Sequence, residues 1–461
     1  MWFWPLLLAC APPEDPRAAW LVDALVRDNL AWSTREPSVV AAKYARMAAD
    51  PYDLMRGTAG VYLRDQSRPG TGRAPTAFLR VAEAAGTLIA GDPHPENFGT
   101  FVRADGAWLV DLNDLDAAQH GPWLWDLRRA AVGLGMIGAA ADCVQPCAAD
   151  AARALGRAYA AQVAVRAEGG APLDVADRFG HGAWLASLVA RTEAMPPLID
   201  EVAPSNRFGR RLLRTEGLDE AGRGVSDLSP PESELLAALL AAWSGRPPEF
   251  RLLDAVRRFG VGVASLPALR FGVLWDRGDD GPEDDALVQL REVVDPPAAP
   301  GLVRPVGALY ASGPDRINAA TRALWFDPQA DPELAGVELG PMSFKVVGWT
   351  EDQDGFEHVD LAERLAATLP DDGPLLELAR FIGGRLADAH ADARSADAAL
   401  GVFAVAADLA GRGDELGEEL ADGAPDDVQT VLDDLARLRD ALDRYGPLLG
   451  ADAALARGSA P

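Results

Sequence analysis

GDPHPENFG, residues 91–99, with LVDLNDLD, residues 109–116, is the stretch on which the reading of this chain turns. Glycine, proline, histidine, carboxylates and an asparagine crowd into one loop, and a strand then runs into three aspartates. Asp92 and Asn97 are five apart, and Asp111 follows 19 residues after Asp92. Transfer of a phosphoryl group needs little covalent help from a protein; it needs positioning and charge neutralisation. One carboxylate accepts or orients the proton of the attacking hydroxyl. A second carboxylate and an amide oxygen hold the Mg2+ that bridges the phosphates, and magnesium prefers such hard oxygen ligands. The spacing assigns Asp92 as base or orienter and Asn97 and Asp111 as metal ligands. Asp114, Asp116 and His94 are additional metal or supporting groups. The competing reading is an Asx-rich turn that caps a helix.

Outward from this loop, GTLIAGD reads as a short buried strand entering it, and TFVRADGAWLVDLND as a hairpin around Asp105-Gly106. GPWLWDLRRAAVGLGMIGAA starts a helix with Pro122 near its first turn, and helical patterns continue to about 165 and recur at 233–243. Residues 17–65 carry apolar residues at helical spacing, broken at Asp50-Pro51. Near 250 the texture changes. RRFGVGVASLPALRFGVLW, ALVQLREVV and PMSFKVVGW are strand-like. After 373 the pattern is helical again, and Val428, Leu432, Leu435, Leu438 and Leu442 form one packing stripe. The expected organisation is a helix-rich lobe over 17–248, a strand-rich lobe over 249–365, C-terminal helices over 366–454 that pack on the first lobe, and a disordered tail at 455–461.

The chain has 461 residues, 49% of them hydrophobic, enough for a large core and two or more lobes. Its net charge of −27 repels phosphate backbones and anionic membranes, which excludes nucleic acid as an expected partner. Only two lysines occur, Lys43 and Lys345. MWFWPLLLAC at the N-terminus resembles the end of a lipoprotein signal, with Cys10 acylated and residues 1–16 as signal and linker; no basic residue precedes Arg17, so a cytoplasmic protein with a frayed apolar start is the alternative. Cys143 and Cys147 flank Pro146 and are either a turn-closed disulfide or two small buried hydrophobes. Arg56 either faces the active-site carboxylates or a phosphate, or makes a structural salt bridge; Asp126 anchors the loop by hydrogen bonds, and His390 is a structural histidine on a helix.

The loop and hairpin resemble the catalytic and metal-binding segments of aminoglycoside phosphotransferases and protein kinases; His94 stands where eukaryotic protein kinases usually carry a lysine. With KYARMAADPYDLMRGTAG, DLNDLDAAQHGPWLWDLRR and LADAHADARSAD, the resemblance extends from about 35 to 400, to the bacterial family called domain of unknown function 2252. It implies an α+β, helix-rich, two-lobed protein-kinase-like fold with permuted segment order, and ATP and Mg2+ as cofactors. It also implies that RRFGVGVASLPALR, with Gly260, Gly262 and Ser265, is the nucleotide-facing glycine segment, and LVQLREVV the lysine-bearing strand. Here Ala264 and Pro267 replace glycines and Arg291 replaces the lysine, and proline has no N–H to offer a phosphate. Lys345 compensates if its strand lies beside that of Arg291. Two functions follow: a phosphotransferase that moves phosphate from ATP to a hydroxyl of a small molecule or protein, or a catalytically inactive pseudokinase-like binding or scaffold lipoprotein, which meets a membrane only through its lipid anchor.

Overall fold

Proline and capping residues set the first helices: α1 (Pro16–Arg35), α2 (Pro37–Ala49) and α3 (Pro51–Gly57), followed by α4 (Ala59–Ser67). Each of the first three begins on a proline, at a position whose N–H would lack an intrahelical partner. Asp15 accepts from Arg17 N at 2.8 Å, and Asp50 from Asp53 N at 2.9 Å. The break expected at Asp50-Pro51 is thus a cap followed by a new helix start. The computed structural model describes residues 15–67, 76–80, 86–103, 105–177, 180–219, 223–278, 284–296, 310–327, 331, 333–350, 354–392 and 402–451. Cys10 and the tail expected at 455–461 lie outside the described residues.

Four short strands follow: β1 (Thr87–Ile89), β2 (Phe98–Val102), β3 (Trp108–Leu112) and β4 (Gln119–Gly121). β2 and β3 form the expected antiparallel hairpin, and β1 pairs with β4. Next come α5 (Trp123–Ala140) and α6 (Gln145–Ala167). α5 is apolar nearly all round and buried from Trp123 to Leu127, so it lies within the largest hydrophobic core. Cys143 and Cys147 are joined in a disulfide with a Cα–Cα distance of 5.6 Å. α6 begins only at Gln145, so Cys143 lies before the helix and is free of the geometry of an intact turn.

The chain continues through α7 (Ala183–Glu193), α8 (Leu198–Val202), β5 (Gly217–Leu218), β6 (Gly224–Asp227) and α9 (Pro230–Ala242). Then follow β7 (Arg251–Phe259), β8 (Arg270–Asp276), β9 (Ala286–Val293), α10 (Gly313–Leu324), β10 (Ala335–Leu339) and β11 (Met342–Gly348). The fold is mixed α+β and helix-rich, with one seven-stranded antiparallel sheet in the order β10-β11-β9-β8-β7-β6-β5. Side chains alternate across it. Phe271, Val273, Trp275 and Phe344 join Leu236, Leu239 and Leu240 of α9 in one core, while Arg270, Arg291 and Lys345 project from the other face.

α11 (His358–Thr368), α12 (Gly373–Asp392), α13 (Val402–Leu409) and α14 (Gly413–Tyr445) complete the chain. α12 and α14 lie along α6. α14 is longer than its apolar stripe suggested, because it continues through Pro425. Within that stripe Val428, Leu435 and Leu438 are buried, and Leu432 and Leu442 are partly so. Among the described residues, no helix is long and apolar enough to cross a membrane.

Candidate functional site

The loop 91–99 is shaped by its neighbours. Gly91 has φ +83°, and a Cβ there would lie 2.2 Å from the Ala117 carbonyl oxygen, so a side chain is excluded twice over. Asp126, in the first turn of α5, accepts from Ala90 N at 2.7 Å and Gly91 N at 2.8 Å, as its anchoring role required. His390 on α12 lies with Nε2 3.1 Å from Asp126, and its Nδ1 is 2.8 Å from the Tyr159 hydroxyl. This geometry suits Nε2–H donating to Asp126 and Tyr159 donating to Nδ1, which makes His390 structural. α5 approaches the loop so closely at Gly133 that a Cβ would come 2.5 Å from Pro95 and 3.0 Å from His94.

Asp92 is buried, and its Oδ1 accepts from Arg129 Nε at 2.5 Å. Burial pushes its carboxyl above the ordinary range, against the pull of Arg129. His94 Nε2 is 3.8 Å from Asp92 Oδ2, and burial with Arg56 and Arg129 nearby pushes its ring well below the usual value. Asn97 Nδ2 donates to the Asp92 carbonyl at 2.8 Å, which turns the amide oxygen away from that bond. Glu96 belongs to a separate network: it accepts from Arg56 at 2.6 Å and from His358 Nδ1 at 2.7 Å. His358 also lies 3.4 Å from Asp50 and stacks on Tyr52 at 4.2 Å. Burial lowers the His358 pKa, but Asp50 and Glu96 outweigh it and raise it to about 9. Arg56 is therefore a salt-bridge residue, bonded to Glu96 rather than facing the cavity.

Asp111, on β3, stands away from the cavity. Its Oδ1 accepts from Arg385 Nε at 2.6 Å and Leu112 N at 2.7 Å. Its Oδ2 accepts from Arg385 Nη2 at 3.1 Å and Phe326 N at 2.7 Å. Both oxygens are filled, both side chains are buried, and Asp111 is absent from the cavity wall. Asp114 and Asp116 do reach the cavity, beside Asp28, Asp92, Glu292 and Asp295. The chain turns after Leu112, and Asp116 N bonds Asp114 Oδ1 at 3.1 Å. Lys345 Nζ is ion-paired with Asp116, and Arg291 Nη2 lies 3.7 Å from Asp114. Burial pushes Asp116 up, but Lys345 and Arg291 outweigh it and hold it well below the carboxylate range. Lys345 faces Arg291 directly across β9 and β11, so the two strands are neighbours as the compensation required.

The segment between β7 and β8 closes the cavity from the sheet side. Gly260 and Gly262 have φ +75° and +74°, and their carbonyl oxygens accept from Arg46 at 3.3 Å. Lys43 Nζ donates to Ala264 O at 2.7 Å and Asn29 Oδ1 at 2.8 Å, and burial pushes its ammonium down to about 8. Lys43 lines the cavity, and Lys345 lies behind it in a second cavity with Arg291. The cavity has a volume of about 300 Å³ and is lined by Asp92, Asn97, Asp114, Asp116, Lys43 and Ser265 among others. Gly260 and Gly262 are in the loop but not in the wall. Two cations near it escaped the sequence reading: Arg270, whose Nη2 lies 3.4 Å from Ser265 Oγ, and Arg258, stacked 4.0 Å above Trp349. The available signal was two arginines at the ends of adjacent strands. A further acidic group, Asp276, Asp284 and Asp285, has carboxylate oxygens within 4.8 Å of one another, but it sits at the opposite end of β8.

No curated protein and no solved structure matches this chain. The family described as "Uncharacterized protein conserved in bacteria (DUF2252)" matches residues 35–204 and 232–441, which include the loop, the hairpin, the sheet strands β7 to β11 and most of α14. The chain belongs to the DUF2252 family.

Proposed function

We propose that the cleft is a phosphoryl-transfer site on a two-lobed, kinase-like scaffold with permuted segment order, which uses ATP and Mg2+ to phosphorylate a hydroxyl substrate. One observation carries this reading: Asp92, Asn97, Asp114 and Asp116 line a single cavity with Lys43, and Asp116 is ion-paired with Lys345, which lies behind that wall. Asp92 takes or orients the hydroxyl proton. Its raised pKa suits that role, because a proton acceptor works best when its pKa approaches the working pH. Arg129 fixes one of its oxygens, so the other is left to face the substrate. Asn97 and Asp114 are the groups that would hold Mg2+, which supplies charge neutralisation at phosphate oxygens when bound. They fit it, because no hydrogen bond from a described residue occupies the Asn97 amide oxygen, and Asp114 has no cation nearer than 3.7 Å. Lys345 and Arg291 provide positive charge on the phosphate side.

The test is magnesium-dependent ATP turnover with a panel of hydroxyl acceptors, comparing the wild type with Asp92→Asn. Turnover should fall by about 10²–10⁴-fold in the variant, the usual contribution of a positioned acid or base. Equal turnover in the two proteins would sink the assignment.

A second reading, a pseudokinase-like binding protein held at a membrane through Cys10, is favoured by Pro267 and by the Gly260 and Gly262 carbonyls that are committed to Arg46. It expects nucleotide or partner binding without turnover, and a diacylglyceryl-cysteine as the first residue of the mature chain in mass spectrometry.

A further inference from the structure

Four cations stand in a row on the face of the sheet opposite the Phe271 core. Arg270 on β8 lies directly opposite Arg291 on β9, and Arg291 lies directly opposite Lys345 on β11. Arg257 pairs with Phe271, which sets Arg258 of β7 beside Arg270 at the other end of the row. Like charges placed directly opposite each other on a sheet repel and destabilise it. Here two such pairs occur in succession.

The counter-charge within the fold is small. Asp116 is paired with Lys345, but the nearest carboxylate oxygens to Arg291 are Asp114 at 3.7 Å and Asp116 at 4.0 Å, beyond hydrogen-bonding distance. Arg291 Nε is buried with no hydrogen-bond partner among the described residues. Arg270 is 6% exposed, and among the described residues its side-chain hydrogen bonds are two marginal ones, to Ser265 Oγ at 3.4 Å and Val261 O at 3.5 Å. Its charge is disfavoured by burial and by Arg291 and Arg258. Arg258 rests on the Trp349 ring. Four formal positive charges thus face Asp114, Asp116 and, across the second cavity, Asp331. A buried guanidinium without an anionic partner costs stability that a fold can avoid with an apolar residue, so this arrangement breaks a local rule in the manner of a functional site.

We propose that Arg258, Arg270, Arg291 and Lys345 form a side-chain clamp for linked phosphate groups, which takes the place of a glycine-loop backbone cradle. The proposal rests on the phosphoryl-transfer reading for its setting, but the anion site stands on its own geometry. It accounts for the altered glycine segment. Pro267 has no N–H to offer, and the carbonyls of Gly260 and Gly262 are engaged by Arg46, whereas guanidinium groups recognise phosphate oxygens bidentately. Ser265, which lines the main cavity, touches Arg270 and connects the row to it. Arg291 and Lys345 line a second cavity of about 40 Å³, with Asp331.

The full-length protein is titrated calorimetrically with inorganic tripolyphosphate, ATP, ADP and adenosine, with and without Mg2+, at two salt concentrations. The clamp expects tripolyphosphate, ADP and ATP to bind, with affinity falling as salt rises, and adenosine to bind far more weakly. Arg270→Met should weaken tripolyphosphate and ATP at least 10-fold while its thermal midpoint stays equal to or above that of the wild type, because an unneutralised buried charge has been removed. Arg258→Met, at a less buried position, should weaken both in the same direction and provides the second measure if Arg270→Met does not fold. Arg444→Met, remote on α14, should change neither affinity. Wild-type protein that binds no tripolyphosphate, or variants that bind it as tightly as wild type, overturn the clamp. Tight binding without Asp92-dependent turnover would leave the clamp standing and remove the phosphotransferase; Asp92-dependent turnover with unchanged affinity in Arg258→Met and Arg270→Met would do the reverse.

Discussion

Asp111→Asn separates a structural carboxylate from a metal-binding one. In the folded chain Asp111 receives four hydrogen bonds, two from Arg385 and two from the backbone N–H groups of Leu112 and Phe326. Asparagine keeps the shape but removes the charge and turns an NH2 group toward those donors. Arg385 is 1% exposed and would be left as a buried cation without a counter-ion. Breaking such a pair on one side costs about 3–5 kcal/mol. That is a large part of the ~5–15 kcal/mol that holds a typical domain together. Asp114→Asn is the control. Asp114 is a third exposed and has no cation within 3.5 Å, so its stability effect should stay within about 1 kcal/mol. Urea unfolding followed by tryptophan fluorescence reads the two effects as shifts in midpoint at constant slope. Calorimetric titration with ADP and Mg2+ reads the second property, and there the order reverses. Asp114→Asn should abolish the magnesium dependence, while any Asp111→Asn protein that remains folded should keep it. The double variant Asp111→Asn with Arg385→Met should recover at least half of the lost stability, because the orphaned charge is gone. An Asp111→Asn protein as stable as wild type, but blind to magnesium, would refute this account and restore Asp111 as a ligand.

Two further outcomes follow from the geometry. The pKa of His358, raised to about 9 between Glu96 and Asp50, lies above its unfolded value of 6.5, so its contribution to stability is complete below pH 6.5 and is lost as the pH rises through about 9. Its size is about 2 kcal/mol after allowance for solvent screening of a partly exposed ring; a wild-type urea midpoint no more sensitive to pH between 6.5 and 9 than that of His358→Gln would refute it. The Cys143–Cys147 bridge closes a short loop, so replacing both cysteines with serine should cost only about 2 kcal/mol on the chain-entropy account, measured by urea unfolding without reductant, and an effect above about 4 kcal/mol would show that the bridge does more than close that loop.

The loop and its hairpin were legible because their information is local. Asp92, Asn97 and the Asp105-Gly106 turn lie within one short stretch, and the alternating pattern around them is what a strand pair requires. The same holds for the helix break at Asp50-Pro51, and for the strands bearing Arg291 and Lys345. α10 and α11 were not read from the strand-rich segment, because each is short and bordered by stretches of turn-forming composition. Whether the two cysteines pair was left open, since it depends on whether α6 begins before or after Cys143.

The sequence by itself determined the family, the α+β composition, the Asp92–Asn97 loop and the presence of three aspartates just after a strand. Only the tertiary structure decided which of those aspartates reaches the cavity. Asp111 is taken by Arg385, 274 residues away, and Asp116 by Lys345, 229 residues away. The choice between them rests on which face of β3 meets α12 and where the chain turns after Leu112. It also brought Arg258 and Arg270 into line with Arg291 and Lys345, through strand register that no single segment specifies. Local periodicity records what each segment buries; the partner of a buried charge is fixed only when distant segments pack together.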